Sequence, residues 1–430
     1  MFIVARSFKK NNQFLRKIFD IMIKTDNVCL VPLRMERYYN MHIADQSFIK
    51  NQNQRVILNE LMKHEQISRA KLAKITKLNK ATISSQVSFL IEKKLVKEVG
   101  TGLSSGGRKP VMLVFNEKAG YAIGVDIGVT YILTVLTDLD GNMIYSDYCE
   151  IEDPSFEMIK PVIIERIRLV ASKVSSSPYG IIGIGAGVHG FVDMQQNVLF
   201  TPNSGWRDVD LKGLLQTHFD CPVLVDNEAN AGAYGEKLFG ILKGCKNGIY
   251  VSIGIGIGLG IIVNDELYRG KEGFSGEMGH MSIDFNGRQC GCGNKGCWEL
   301  YASEKAFYDQ LCLVKNKRRI TLEEVTNWVK ENDGETLREL DKLGYFLGIG
   351  LTNIINTFNP EAIVLRSNLI QENPTILNSI QSTIASRVSK YVRQNHRIYL
   401  SQLHRNATAV GAAAFIVHHF LMESEELYGN

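Results

Sequence analysis

Residues 121–130 read Tyr-Ala-Ile-Gly-Val-Asp-Ile-Gly-Val-Thr: an apolar strand running into Asp126-Ile-Gly128-Val-Thr130. A second strand is expected from Ile132 to Thr137, and Asp138-Leu-Asp-Gly-Asn turns the chain into a third, Met143 to Tyr148. A hairpin with glycine at its bend brings backbone N–H groups up to a phosphate. Alone the pattern is weak, but two partners strengthen it. Gly183-Ile-Gly-Ala-Gly-Val-His-Gly190 ends another apolar strand, and Gly254-Ile-Gly-Ile-Gly-Leu-Gly260 ends a further one. Strands alternate with helical stretches such as Pro161–Lys173, where Pro161 suits a first helical position. Alternating strands and helices predict an α/β architecture in two lobes around a cleft.

Downstream, three cysteines stand close together as Cys290-Gly-Cys292 and Cys297, ten residues after His280. Thiolate and imidazole are the ligands Zn²⁺ prefers, and the intervening glycines let the loop bring all three sulfurs to one point. The spacing predicts a closed Cys3His zinc site of structural type, carried by a loop that also holds Glu277 and Glu299. The bland alternative is a few buried free thiols. The remaining cysteines are scattered without pairing pattern, so a reducing, cytoplasmic setting is expected.

Upstream, residues 41–118 read as a winged helix-turn-helix. Val56, Ile57, Leu58, Leu61 and Met62 form an apolar stripe on a first helix, and Ser68 caps a second whose Leu72, Ala73 and Ile75 are expected to face inward. A third helix from Lys80 buries Ile83, Val87, Leu90 and Ile91. Its other face offers Lys80, Thr82, Ser84, Ser85 and Gln86 to a major groove, with Arg69 nearby. Strands at Leu95–Val99 and Val111–Phe115 would form the wing, whose connection ends in Arg108-Lys109, placed for phosphate or a minor groove. The alternative is a helical dimerisation module with a solvated polar face.

Charge supports nucleic acid. Residues 1–40 hold 8 basic and 3 acidic side chains, residues 41–120 hold 14 and 6, and the rest of the chain sums to −9 within an overall +4. A basic front on an acidic body is the footprint of double-stranded DNA binding. Residues 1–40 lack an apolar run of membrane-spanning length and any signal-peptide organisation. That extension is expected to be disordered or not native, with Met41 the true start; a basic arm touching DNA is the alternative.

The ordered set Asp-Ile-Gly (126–128), Thr-Pro-Asn (201–203), Asn-Glu-Ala-Asn-Ala (227–231), Glu-Met-Gly-His (277–280) and the cysteine motif resembles the ROK family of repressors, open reading frames and sugar kinases. The likeness to its transcriptional regulators rests on residues 104–116, 200–208, 273–281 and 296–304. It implies a winged helix-turn-helix followed, over 119–430, by an actin-like ATPase fold of two lobes, with a hinge near 228–232 and a C-terminal helix returning to the first lobe. It further implies a sugar site of Asn203, Asn227, Glu228, Glu277, His280 and Glu299, with D-xylose as the expected effector, and a homodimer or tetramer on operator DNA. Carboxylates and carboxamides in a glycine-lined pocket suit a ring of hydroxyls that both donate and accept.

On the nucleotide side the sequence departs from the family pattern. Glu228 stands where family kinases place a catalytic aspartate, and an ångström of misplacement costs on the order of a hundredfold in rate. Val129 replaces a glycine of the first phosphate loop, Ile255 a threonine of the second, and Arg366-Ser367 a Gly-Gly pair. These departures imply a sensor without catalytic residues; the alternative is an ATP-dependent sugar kinase with a regulatory DNA-binding domain. His189, in place of a proline, has no account from sequence alone.

Overall fold

The computed structural model describes residues 46–101, 110–389, 391, 397–424 and 427. The expectations for residues 1–40 and for Arg108 and Lys109 lie outside these. Most of the described residues belong to one compact unit, Arg55–Asn430. Helix α1 (Gln46–Met62) leads into this unit, which holds the remaining elements.

After α1 come β1 (Ile67–Ser68), α2 (Arg69–Thr76), α3 (Lys80–Glu92), β2 (Val96–Thr101) and β3 (Val111–Phe115). Side chains set the helix starts: Ser68 accepts from Lys71 N and Asn79 accepts from Thr82 N, each satisfying an N–H that the first turn leaves unpaired. The strands form a small antiparallel sheet in the order β1-β3-β2, as a winged helix requires. Leu72 is the one fully buried residue of the eight in α2; Ile75, expected inside, is 40% exposed because so short a helix turns only one narrow stripe to the core.

The body opens with β4 (Tyr121–Ile127), β5 (Tyr131–Asp138) and β6 (Met143–Glu150), followed by α4 (Phe156–Ala171) and β7 (Ile181–Val188). Helix α4 starts five residues before Pro161, which sits inside it and not at its first position. Short strands β8 (Phe191–Val192), β9 (Val198–Phe200) and β10 (Arg207–Val209) form a separate meander, and α5 (Leu211–His218), β11 (Val223–Asn227) and α6 (Glu228–Phe239) come next. The second half contains β12 (Gly248–Ile253), β13 (Ile257–Val263), β14 (Glu266–Leu267), α7 (Glu299–Ala302), α8 (Glu304–Val314), α9 (Leu322–Lys330) and α10 (Gly334–Phe358). It ends in β15 (Ala362–Arg366), α11 (Asn368–Glu372), α12 (Ile376–Arg387), β16 (Arg397–Leu400) and α13 (Ala407–Glu423).

Two five-stranded sheets result, ordered β11-β7-β4-β5-β6 and β14-β13-β12-β15-β16. Each is an antiparallel meander of three strands whose first member pairs in parallel with a fourth, and the fourth with a fifth. The same plan used twice places the ends of β4 and β12 opposite one another. Helix α6 packs on β12 and β13 of the second sheet, and α13 on β4 and β7 of the first. The two helices cross at Gly411, where a methyl group would fall 1.7 Å from the Ala231 carbonyl oxygen. Farther along α13, Ile416, Val417, Phe420 and Leu421 join Leu58, Leu61, Leu90 and Leu113 of the winged helix in one apolar core. Tyr179 adds a hydroxyl bond to the Lys93 carbonyl (2.7 Å) while its ring meets Phe420 edge-on. The winged helix is thus seated on the first lobe and on α13 by continuous packing.

Candidate functional site

Between the sheets lies a cavity of about 730 Å³, lined by strand ends of both lobes. Asn203, Asn227, Glu228, Glu277, His280 and Glu299 all border it, although they come from four separate stretches of chain. Their present duties differ. Asn227 caps α6, its Oδ1 accepting from Ala229 N and Asn230 N (2.8 and 3.2 Å) and its Nδ2 donating to Gly190 O (2.9 Å). One amide hydrogen remains for a ligand. Glu228 begins the same helix with Oε2 sealed from solvent and unpaired. Burial, then the nearby Glu277 and Asp126, pushes its carboxyl up to about 8. Burial and Glu299 push Glu277 up to about 7. Carboxyls held near neutrality can donate as well as accept, which fits recognition of hydroxyl groups.

His189 now has an account. Its Nδ1 lies 3.0 Å from Ile127 O and its Nε2 2.6 Å from Ser204 Oγ. A carbonyl only accepts, so Nδ1 carries the proton and Nε2 accepts a hydrogen bond from the serine hydroxyl; burial, which lowers the ring's pKa, keeps it in that neutral form. The ring therefore pins the Thr201–Gly205 loop, and Asn203 with it, to the end of β4.

The zinc-type ligands converge. One ligand atom from each of His280, Cys290, Cys292 and Cys297 lies within 4.8 Å of every other. Cys292 and Cys297 sulfurs are 3.7 Å apart, and Cys290 Sγ is 3.7 Å from His280 Nδ1. Bonds of about 2.3 Å to sulfur and 2.0–2.1 Å to nitrogen at tetrahedral angles require separations of about 3.8 and 3.6 Å, so the donor set fits one such ion. The other imidazole nitrogen, Nε2, faces Glu277 Oε2 at 3.9 Å, and Glu299 Oε1 is 3.3 Å from Nδ1. The His/Cys cluster and the cavity carboxylates are therefore immediate neighbours.

On the winged helix, Lys80, Ser84 and Ser85 are exposed and Thr82 partly so, all near the start of α3. Gln86 departs from them: it is 8% exposed, and its Nε2 turns to Ser85 Oγ. It sits three residues after Ile83 and four before Leu90, on the helix's buried stripe. Arg69 is paired with Glu98 of β2 at 2.8 Å. Sequence reading passes over Tyr131, which carries no motif, yet its hydroxyl donates to Asp126 Oδ2 (2.8 Å) and accepts from Arg366 Nη2 (3.0 Å).

Fold and cavity define the class: a two-lobed, actin-like body bearing a winged helix-turn-helix module. The chain belongs to the ROK family, whose model matches residues 122–419, while a winged helix-turn-helix DNA-binding model matches residues 50–97. It is 51% identical over 381 residues to the xylose repressor of Bacillus subtilis, covering 89% of this chain and 99% of that protein. Among solved structures, a ROK family transcriptional regulator homologous to the E. coli MLC protein superposes with TM-score 0.75 at 25% identity, over 89% of this chain and all of that one. A ROK glucokinase from Streptomyces griseus, in complex with glucose and AMPPNP, gives 0.63 at 29% identity over 69% of this chain and 99% of its own.

Proposed function

We propose that the protein is a sugar-responsive transcriptional repressor that binds operator DNA through its winged helix and is released when D-xylose fills the cleft. The observation that carries this reading is the shared core of α13, one helix packed at once on β4, on α6 and on the DNA-binding module. A sugar that prefers the closed cleft shifts the lobes, and α13 conveys the shift to the module that must fit a groove. By linkage, sugar and operator weaken each other by one common factor, typically worth about 1–3 kcal/mol. The same reading takes Asn203, Glu228, Glu277, His280 and Glu299 as sugar contacts, with Asn227 holding α6 in place.

His280, Cys290, Cys292 and Cys297 would hold zinc with no open position for chemistry, so the ion would fix the loop that presents Glu277 and Glu299. Thr82, Ser84 and Ser85 supply the reading face with Lys80 beside them for phosphate, a homodimer presents two copies of it, and the reducing cytoplasm keeps the thiolates available; among the described residues no helix is long and apolar enough to cross a membrane. The kinase alternative is the weaker one: with its value raised to about 8 by burial, the Glu228 carboxyl is mostly protonated at neutral pH, so little of it is present as the carboxylate a base requires. Fluorescence anisotropy on labelled operator, titrated with D-xylose and other pentoses and hexoses, tests the proposal. D-Xylose lowers operator affinity; unchanged affinity at saturating sugar refutes it.

A further inference from the structure

Of the two glycine loops that open the cavity, the one at Gly128 is covered by a side chain of the protein itself, and another side chain reaches the edge of the one at Gly254. At the first, the Tyr131 ring lies so close that a methyl on Gly128 would meet it at 2.6 Å. At the second, a methyl on Gly254 would stand 4.0 Å from Arg366 Nη1. These two side chains come from different lobes, Tyr131 from the start of β5 and Arg366 from the end of β15, and are bonded to each other. Tyr131 is braced on the far side by Tyr148, whose ring stacks on it at 5.6 Å. A continuous chain, Asp126 to Tyr131 to Arg366, therefore crosses the cavity floor from sheet to sheet. A part-buried hydrogen bond to a guanidinium is stronger than one between neutral groups.

We propose that Tyr131 and Arg366 form a resident strut that sets the spacing of the lobes without any nucleotide, and so tunes sugar affinity and the release of DNA. Arg366 is a positioning residue in this scheme: it acts on the sugar through lobe spacing. In this scheme a bond that ties one lobe to the other favours the closed cleft, so removing it lowers sugar affinity and leaves the open, DNA-binding form more populated.

This inference rests on the sugar-sensor reading, and the experiment separates the two. Tyr131→Phe keeps the ring packed on Gly128 and Tyr148 and removes only the hydroxyl. By calorimetry it should weaken D-xylose binding about tenfold, the effect of losing one bond to a charged group. Its operator affinity without sugar should not fall. Arg366→Leu should do the same, the double variant should be no worse than either single one, and Arg366→Lys should recover part of the loss. In sugar-free protein, hydrogen exchange should speed up over 128–134 and 254–258, the two glycine loops and the strand starts that follow them, when either partner is changed. Unchanged exchange in the 254–258 loop of Tyr131→Phe, or losses that add in the double variant, would overturn the strut. A wild-type protein whose operator affinity ignores D-xylose would sink the sensor reading instead, while the exchange measurement would still decide the strut by itself.

Discussion

Replacing Glu228 by glutamine should stabilise the protein, and by more as pH rises. The carboxyl is held at about 8 in the fold against an ordinary 4.5, and its Oε2 has no partner. For an acid, a raised folded value means the protonated form is the one the fold prefers. Below pH 4.5 both states are protonated and nothing is lost; between 4.5 and 8 ionisation of the unfolded chain draws stability away; above 8 the loss is constant. Each pH unit in that window is worth about 1.4 kcal/mol. The penalty is then about 1 kcal/mol at pH 5, about 3 kcal/mol at pH 7 and about 5 kcal/mol above pH 8. These are upper values, because the other carboxylate oxygen borders the cavity and the glutamine amide must itself be solvated there. Thermal denaturation of both proteins from pH 5 to 8.5 measures it: the melting temperatures should nearly coincide at pH 5 and separate by several degrees, glutamine higher, at pH 8. A separation that stays constant across the range would show that Glu228 ionises normally and that the reasoning from burial is wrong.

Cys292→Ser should remove bound metal, lower the melting temperature and abolish the response to sugar together, and elemental analysis of the wild type should find about one zinc per chain; finding none would end the metal assignment. On DNA, Lys80→Ala should weaken binding to all duplexes alike and reduce the salt slope by about one, whereas Ser85→Ala should change the ranking of operator sequences. Equal, sequence-blind losses from both would argue against the start of α3 as the reading face. Gly411→Val forces α13 away from the Ala231 carbonyl and should cost more than about 3 kcal/mol, seen as a large fall in melting temperature or as insoluble protein; normal melting would show that the helices can part without harm.

Features whose parts lie close together in the chain are legible in the sequence. His280 and the three cysteines span eighteen positions, and the Ser68 and Asn79 caps act within three residues. The five cavity side chains and the α6 cap come from scattered segments, and only the likeness to a family gathers them into one site. Gln86 defeats a sequence reading because a glutamine looks polar wherever it stands; its neighbours Ile83 and Val87 decide that it turns inward. Pro161 suggests a helix start because proline tolerates that place best, yet Phe156 and Ile159 extend the apolar stripe upstream. Least legible of all is the bond between Tyr131 and Arg366, separated by 235 residues and joined only because two copies of one sheet plan face each other.

The position of α13 also governs how the molecule is made. Strand β4 and the winged helix leave the ribosome early, but the helix that completes their cores is translated nearly a whole ROK domain later. Such long-range closure is slow to form and leaves apolar surface open meanwhile. The nascent DNA-binding module therefore waits without its seat, and a transcript broken before Ala407 is expected to yield a chain that quality-control proteases remove. Competence to occupy an operator is therefore expected only once α13 has been made and packed against the module.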